Sequence, residues 1–417
     1  MYKITASEEN KLKLIRWVDK NFKHFCLLNS NQYDDKYGSL NWELAFDANR
    51  ILSSNHENAF EKLKHFCDAN NSKIYGLLAY DLKNDTEKLV SSNKPIIDFP
   101  DLAFFEPKHI ITEKDGYLTS KSFNIEALEF DIHENISQTA HPKNFTHESH
   151  SESEYIETIN QLKKHIYDGD IYEINYCISF VINEYYCDVV SIYDQLNKLS
   201  PNPFACLLKF NHQFIISASP ERFLKKQNDN VISQPIKGTI KRTDNIDRDK
   251  SELLSSEKER AENVMIVDLV RNDLKKCAVT GSIKVEELFG IYTFPQLHQM
   301  ISTITAKAKE EVHMIDIIKS CFPMGSMTGA PKVRAMQLID QYEKVKRAAF
   351  SGAVGYIDMQ NQEFDFNVII RSLFYDCETQ TLSYNVGSAI TYDSFAQFEY
   401  EECLLKAKAI KKVLGIN

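Results

Sequence analysis

The chain has 417 residues, 43% of them hydrophobic, enough for one large core or two smaller ones. Its net charge of −10 is spread over interspersed acids and bases, which argues against a nucleic-acid surface, where Lys and Arg cluster. The 9 cysteines include no Cys-x-x-Cys pair, so neither a disulfide framework nor a zinc site is suggested. Residues 1–9 lack the apolar core of a signal peptide, and no apolar run is long enough to span a bilayer. A cytoplasmic protein with no membrane partner is expected.

In chain order, residues 7–18 and 55–69 have helical spacing, and 74–80 form a short apolar strand candidate. Residues 1–135 are read as an N-terminal lobe. The segment 136–153, rich in His, Ser, Thr and Asn, reads as a connection. It places His141, His147 and His150 in a solvated loop, since their spacing matches no metal-ligand pattern. Residues 154–417 form the second region. There 155–167 and 190–199 are helical, 176–182 is a strand, and 204–210 with 214–218 form a hairpin. Ser219-Pro220 ends that hairpin, because proline cannot continue a central ladder. Lys237 then stands between Pro235 and Gly238, one restricting the backbone and the other permitting close approach.

Residues 255–277 read as one helix, opened by a capping box of Ser256 and Glu259, with Val264, Val267, Val270 and Leu274 as its apolar stripe. Ser394 with Gln397 repeats the capping pattern ahead of a helix over 395–414. Glu259 and Glu262 share one helix face, as do Glu399 and Glu402, each pair being three apart. Such pairs are either solvated acidic faces or holders of a hard cation such as Mg²⁺. The small residues at 325–330 precede a helix over 333–342 and offer backbone N–H groups to an anion, without the Gly-Lys-Ser/Thr ending of a P-loop. Residues 352–356 and 368–372 read as strands, and Arg371 amid apolar neighbours requires a partner.

Several of these pieces together carry a resemblance. Ser219-Pro220-Glu221-Arg222-Phe223-Leu224, Pro235-Ile236-Lys237-Gly238-Thr239, Arg260-Ala261-Glu262-Asn263 and Glu399-Tyr400-Glu401-Glu402 resemble the chorismate-utilising enzymes, densely from residue 153 onward. The resemblance implies an α/β (α+β) fold, a four-layer α/β/β/α sandwich of two large, mostly antiparallel sheets with the active site between them. It implies chorismate as substrate and Mg²⁺ held by Glu262 and Glu402, with Glu259 and Glu399 acting through water or from behind. Without a cation, four glutamates would repel a substrate carrying two carboxylates.

The lysine in Pro-Ile-Lys-Gly-Thr resembles the aminodeoxychorismate synthase branch; anthranilate synthases carry alanine there. That branch implies attack of Lys237 on C2 of chorismate, Glu221 as general acid to the departing 4-hydroxyl, and His298 as a donor to it. Ammonia then opens the adduct to 4-amino-4-deoxychorismate, on the way to p-aminobenzoate and folate. A nucleophilic lysine must be neutral, so burial or nearby cations are expected to lower its pKa. No cysteine lies in a Gly-x-Cys-x-Gly elbow, so a separate glutamine amidotransferase subunit is expected to supply ammonia, and a separate lyase to consume the product. Thr239, Gly325, Ser326, Thr328, Gly387 and Lys406 are the implied substrate contacts. Tyr356 and Arg371 are assigned to the enolpyruvyl carboxylate. Met324 and Ser388 stand where the family usually has glycine. The alternative within the family is anthranilate synthase component I. The N-terminal lobe resembles the part that binds tryptophan in some relatives.

Overall fold

The computed structural model describes residues 2–38, 40–69, 71–128, 147–148, 150–294 and 297–416. Strand Leu102–Lys114 belongs to both of two sheets: it pairs with Trp42–Ser54 and, at its first residues, with Lys73–Leu78. From Trp42–Ser54 the first sheet runs through His24–Asn29, Phe204–Phe210, Gln213–Ser219, Ser372–Asp376 and Thr381–Ile390 to Glu173–Ile182. From Lys73–Leu78 the second runs through Ala353–Asp358, Glu363–Val368, Arg222–Gln227 and Asn230–Gln234 to Leu297–Lys307. Every one of these pairings is antiparallel.

The strands are apolar on both faces because both faces are covered. Phe25 and Leu27 enter one hydrophobic cluster and Cys26 the other; Phe214 and Ile216 are likewise split from Ile215. One cluster joins the first sheet to the helices Glu8–Asn21, Glu152–Tyr167, Val189–Leu199 and Ala396–Leu414. The other fills the space between the sheets and reaches Ala59–Asp68, Glu257–Lys275 and Met314–Cys321. This is the four-layer sandwich expected. N-terminal strands pair directly with later ones, His24–Asn29 with Phe204–Phe210 and Lys73–Leu78 with Ala353–Asp358, so the sheets run across the boundary drawn at residue 135. Among the described residues, no helix is long and apolar enough to cross a membrane.

Local readings changed in three places. The helix expected over 255–277 is Glu257–Lys275, and a separate helix, Ile246–Ser255, precedes it. Ser256 between them is extended, and its side chain caps Glu257–Lys275 by accepting from the Glu259 N–H. Ile266, not Val264, completes the apolar stripe; Val264 is exposed. At the last helix, Ser394 accepts from Thr391 N–H instead, Phe395 takes the cap position, and no side chain caps it. His150 is buried rather than solvated: it meets the Tyr176 hydroxyl at 2.8 Å, and burial pushes its pKa down to about 4. His141, the side chain of His147 and most of the expected connection lie outside the described residues.

Candidate active site

The corner at Pro220 carries the chain from one sheet to the other. Gln213–Ser219 belongs to the first sheet and Arg222–Gln227 to the second, so Glu221 sits where they meet. Ser219 Oγ accepts the Glu221 N–H at 3.2 Å and holds the turn. The Glu221 side chain is 4% exposed, and its Oε1 accepts from Ser326 Oγ at 2.6 Å. Burial pushes its carboxyl up to about 7, against the opposing pull of Ser326, Lys237 and Arg371. A cavity of about 20 Å³, lined by Glu221, Pro235, Asp273 and Ser326 among others, adjoins it and has room for one water.

Lys237 lies at an irregularity in the pairing of Ile236–Lys241 with Leu297–Lys307. The next residue, Gly238, has φ 97°, and a Cβ there would stand 3.2 Å from Glu259 and Met300. The lysine is buried, and its Nζ lies 2.5 Å from Oε1 of Glu173. Burial alone would depress its pKa, but Glu173, Glu262 and Glu221 outweigh that and raise it. Lys237 is therefore an ammonium in the free protein, contrary to the lowered pKa expected.

The loop after Phe322 closes the site. Gly329 has φ 147°, and a Cβ would fall 2.2 Å from the Glu173 carbonyl oxygen, so only glycine permits that approach. Arg347 donates to the carbonyls of Met327 at 2.6 Å and Asn175 at 2.7 Å, while Glu343 accepts from its fork. Lys332 ties the same loop to the acidic helix through Asp273, at 2.5 Å. The Thr328 hydroxyl is spent on the Met324 and Gly325 carbonyls. Met324 is buried and, with Gly325, lines the small cavity.

The acidic helices Glu257–Lys275 and Ala396–Leu414 approach each other at one cation. Lys258 Nζ lies 3.3 Å from Glu399 Oε1 and 3.9 Å from Glu262 Oε1. Glu262 is buried, its carboxyl is pushed up to about 7 by that burial, and its Oε1 has no hydrogen-bond partner among the described residues. Glu402 pairs with Lys406 at 2.7 Å, and Lys406 also donates to the Gly387 carbonyl at 2.9 Å. Burial raises the Glu259 carboxyl; Lys406 lowers that of Glu402. Among the described residues, no three His, Cys, Asp or Glu side chains already form a metal shell. The orphaned Glu262 oxygen, an all-oxygen donor set and an ammonium standing between the two helices nevertheless fit a hard cation.

Other predicted residues fall into place unevenly. Arg371 does not continue a strand: it turns at φ 52° between Glu363–Val368 and Ser372–Asp376. Its guanidinium makes no hydrogen bond or ion pair among the described residues; burial lowers its pKa to about 10, opposed by Glu221. Tyr356 lines a separate cavity of about 510 Å³ with Asp35, Arg222 and Asp365, because its strand carries it beside Tyr75 and Lys73 rather than beside Arg371. His298 is fully buried, but the pleat of its strand turns it to Thr293, at 3.0 Å, and Asp249, at 3.7 Å, rather than to Lys237 or Glu221. Thr239 is exposed beside Gln299. Ser388 faces away from the cleft and meets the Tyr155 hydroxyl at 3.0 Å. Glu173, Lys258 and Arg347 were missed. Glu173 alone left a signal, an acid inside an apolar run.

The family model described as chorismate binding enzyme matches residues 21–412. Aminodeoxychorismate synthase component 1 of Escherichia coli (strain K12) is 35% identical over 353 residues, covering 81% of this chain and 76% of the relative. Anthranilate synthase component 1 of Saccharolobus solfataricus is 29% identical over 430 residues, covering 97% of each. The crystal structure of anthranilate synthase component I from Streptococcus pneumoniae TIGR4 superposes with a TM-score of 0.77 at 22% identity, covering 92% of this chain and 95% of that one, a likeness of fold. The chain belongs to the chorismate-binding enzymes. It is a chorismate-utilising enzyme with the two-sheet sandwich of that family.

Proposed function

We propose that this chain is the synthase component of an aminodeoxychorismate synthase, converting chorismate and ammonia to 4-amino-4-deoxychorismate through a covalent adduct of Lys237 at C2. The observation that carries the reading is a buried primary amine, Lys237, beside Glu221, a buried carboxyl that burial pushes up to about 7. Glu221 holds the proton that the departing 4-hydroxyl needs to leave as water. Arg371, whose side chain has no hydrogen-bond or ion-pair partner among the described residues, suits the enolpyruvyl carboxylate. Lys406 suits the ring carboxylate. Glu262 and Glu402, with Glu259 and Glu399 around them, would hold Mg²⁺. When bound, the ion offsets the repulsion between the substrate carboxylates and the acidic helices. Ammonia comes from a separate glutamine amidotransferase subunit, and a separate lyase turns the product into p-aminobenzoate for folate.

Incubation with chorismate, Mg²⁺ and ammonium, with and without an added aminodeoxychorismate lyase, tests the reaction. The expected product yields p-aminobenzoate only with the lyase. Lys237→Ala is expected to form no adduct by intact-protein mass spectrometry. The second reading, anthranilate synthase component I, draws on the full-length match to the Saccharolobus protein. Fluorescent anthranilate released with pyruvate, without any lyase, would establish it instead.

A further inference from the structure

We propose that Glu173 is the group that takes the proton from Lys237 when the adduct forms and returns it when the lysine leaves. The inference rests on the lysine-adduct reading above. Glu173 opens the strand Glu173–Ile182 and is 1% exposed. Its position is built rather than incidental. Gly329 and Ala330 pair with Ile174 and Glu173, the Tyr172 N–H donates to the Ala330 carbonyl at 2.6 Å, and the Asn175 N–H to the Thr328 carbonyl at 2.8 Å. Oε1 touches Lys237 Nζ at 2.5 Å; Oε2 is buried without a hydrogen-bond partner among the described residues. A carboxylate that serves only as an anchor spends both oxygens, as Glu343 does on Arg347.

The other acids facing Lys237 are committed elsewhere. Glu221 must keep its proton for the leaving hydroxyl and is bound by Ser326. Glu262 and Glu259 on one acidic helix, and Glu402 with Lys406 on the other, belong to the proposed cation site. None of these makes an ion pair with the lysine among the described residues, whereas Glu173 does.

The steps balance. A proton passes from Nζ to Glu173, and the freed lone pair forms the Nζ–C2 bond. The C4–O bond breaks, and the Glu221 proton completes a water molecule. Ammonia then forms the C4–N bond while the C2–Nζ bond breaks, its electron pair returning to nitrogen. Glu173 gives its proton back to the neutral lysine. The new C4 ammonium returns one proton to Glu221.

The test uses the full chain with chorismate and Mg²⁺ in the absence of ammonia, following adduct formation by quenched intact-protein mass spectrometry between pH 6 and 10. Glu173→Gln preserves the shape but cannot accept the proton. It is expected to slow adduct formation about 100-fold at pH 7. Its rate is expected to climb with pH, as solvent deprotonates the lysine instead. Glu173→Asp keeps a base at longer reach and is expected to fall between, with a wild-type pH dependence. Wild-type rate and pH profile in Glu173→Gln would overturn the proposal while leaving the adduct intact. Absence of any adduct in the wild-type protein would overturn the lysine reading, and the role of Glu173 with it.

Discussion

Arg222 and Arg371 lie near the same glutamate, Glu221, yet they are held in opposite ways. Arg222 is saturated: its fork meets Asp35 at 2.7 Å, Asp365 at 2.9 Å and Gln234 at 2.5 Å. Arg371 is held in a left-handed backbone turn and donates to nothing among the described residues. The same contrast separates their surroundings. Around Arg222, beside the larger cavity, Glu43 accepts from both Lys73 and Tyr75, at 2.5 and 2.6 Å. Around Lys237, Glu173 and Glu262 each retain a buried oxygen with no hydrogen-bond donor among the described residues. Removing a charged group from water is costly unless partners replace the water. The first region meets that cost internally and is part of the fold. The second leaves it for a ligand to meet.

The largest effect expected from this contrast is on stability, at the saturated arginine. Asp365→Ala leaves Arg222 buried with only Asp35 as a charged partner and is expected to destabilise the chain by about 3–5 kcal/mol, read from urea unfolding. A loss under 1 kcal/mol would place Arg222 among ordinary surface pairs. Arg371→Met should behave in the opposite sense. It is expected to lower kcat/KM for chorismate at least about 100-fold, equivalent to about 2.7 kcal/mol, with an unfolding midpoint equal to or above wild type. A collapse of stability in that variant would show that Arg371 has a structural partner after all.

Glu221 sharpens the comparison through pH. Its folded pKa of about 7 lies above the ordinary carboxylate value, so the folded state binds more protons than the unfolded state between the two. The stability it contributes is full below the unfolded pKa and lost as pH rises through 7. Glu221→Gln should match wild type at pH 4.5 and exceed it at pH 8 by about 1–3 kcal/mol. Turnover that needs the protonated acid should decline above pH 7. A difference that does not change with pH would mean that Glu221 is already ionised in the folded chain.

Much of this was legible before any coordinates, and for a physical reason. Doubly covered strands are continuous apolar runs, and the corner at Pro220 and the glycine after Lys237 are backbone constraints written in single residues. The carboxylate pairs at 259/262 and 399/402 follow from helical spacing. What escaped depends on contacts between segments far apart in the chain. Glu173 acquires its meaning only when the Gly329 loop and the strand of Lys237 are brought to it. Tyr356 and Arg371 looked alike as polar residues in apolar strands, but the strand of Tyr356 carries it to the larger cavity, whereas Arg371 turns between two strands close to Glu221. Ser388, a departure from glycine, is absorbed by Tyr155 outside the cleft.

Lys258 offers the smallest and most discriminating effect. Half exposed, it forms ion pairs with both Glu262 on its own helix and Glu399 on the other. If that ammonium stands where a divalent ion is proposed to bind, the two compete. Lys258→Met should then lower the Kd for Mg²⁺ about fivefold in titration calorimetry, equivalent to about 1 kcal/mol, a size suited to a solvent-screened pair. The same variant should melt lower than wild type without Mg²⁺, because Glu262 and Glu399 lose their counter-charge, and recover most of the difference when Mg²⁺ is added. Weaker Mg²⁺ binding in the variant would reverse the reading: Lys258 would then be preparing the two helices for the ion rather than holding its place.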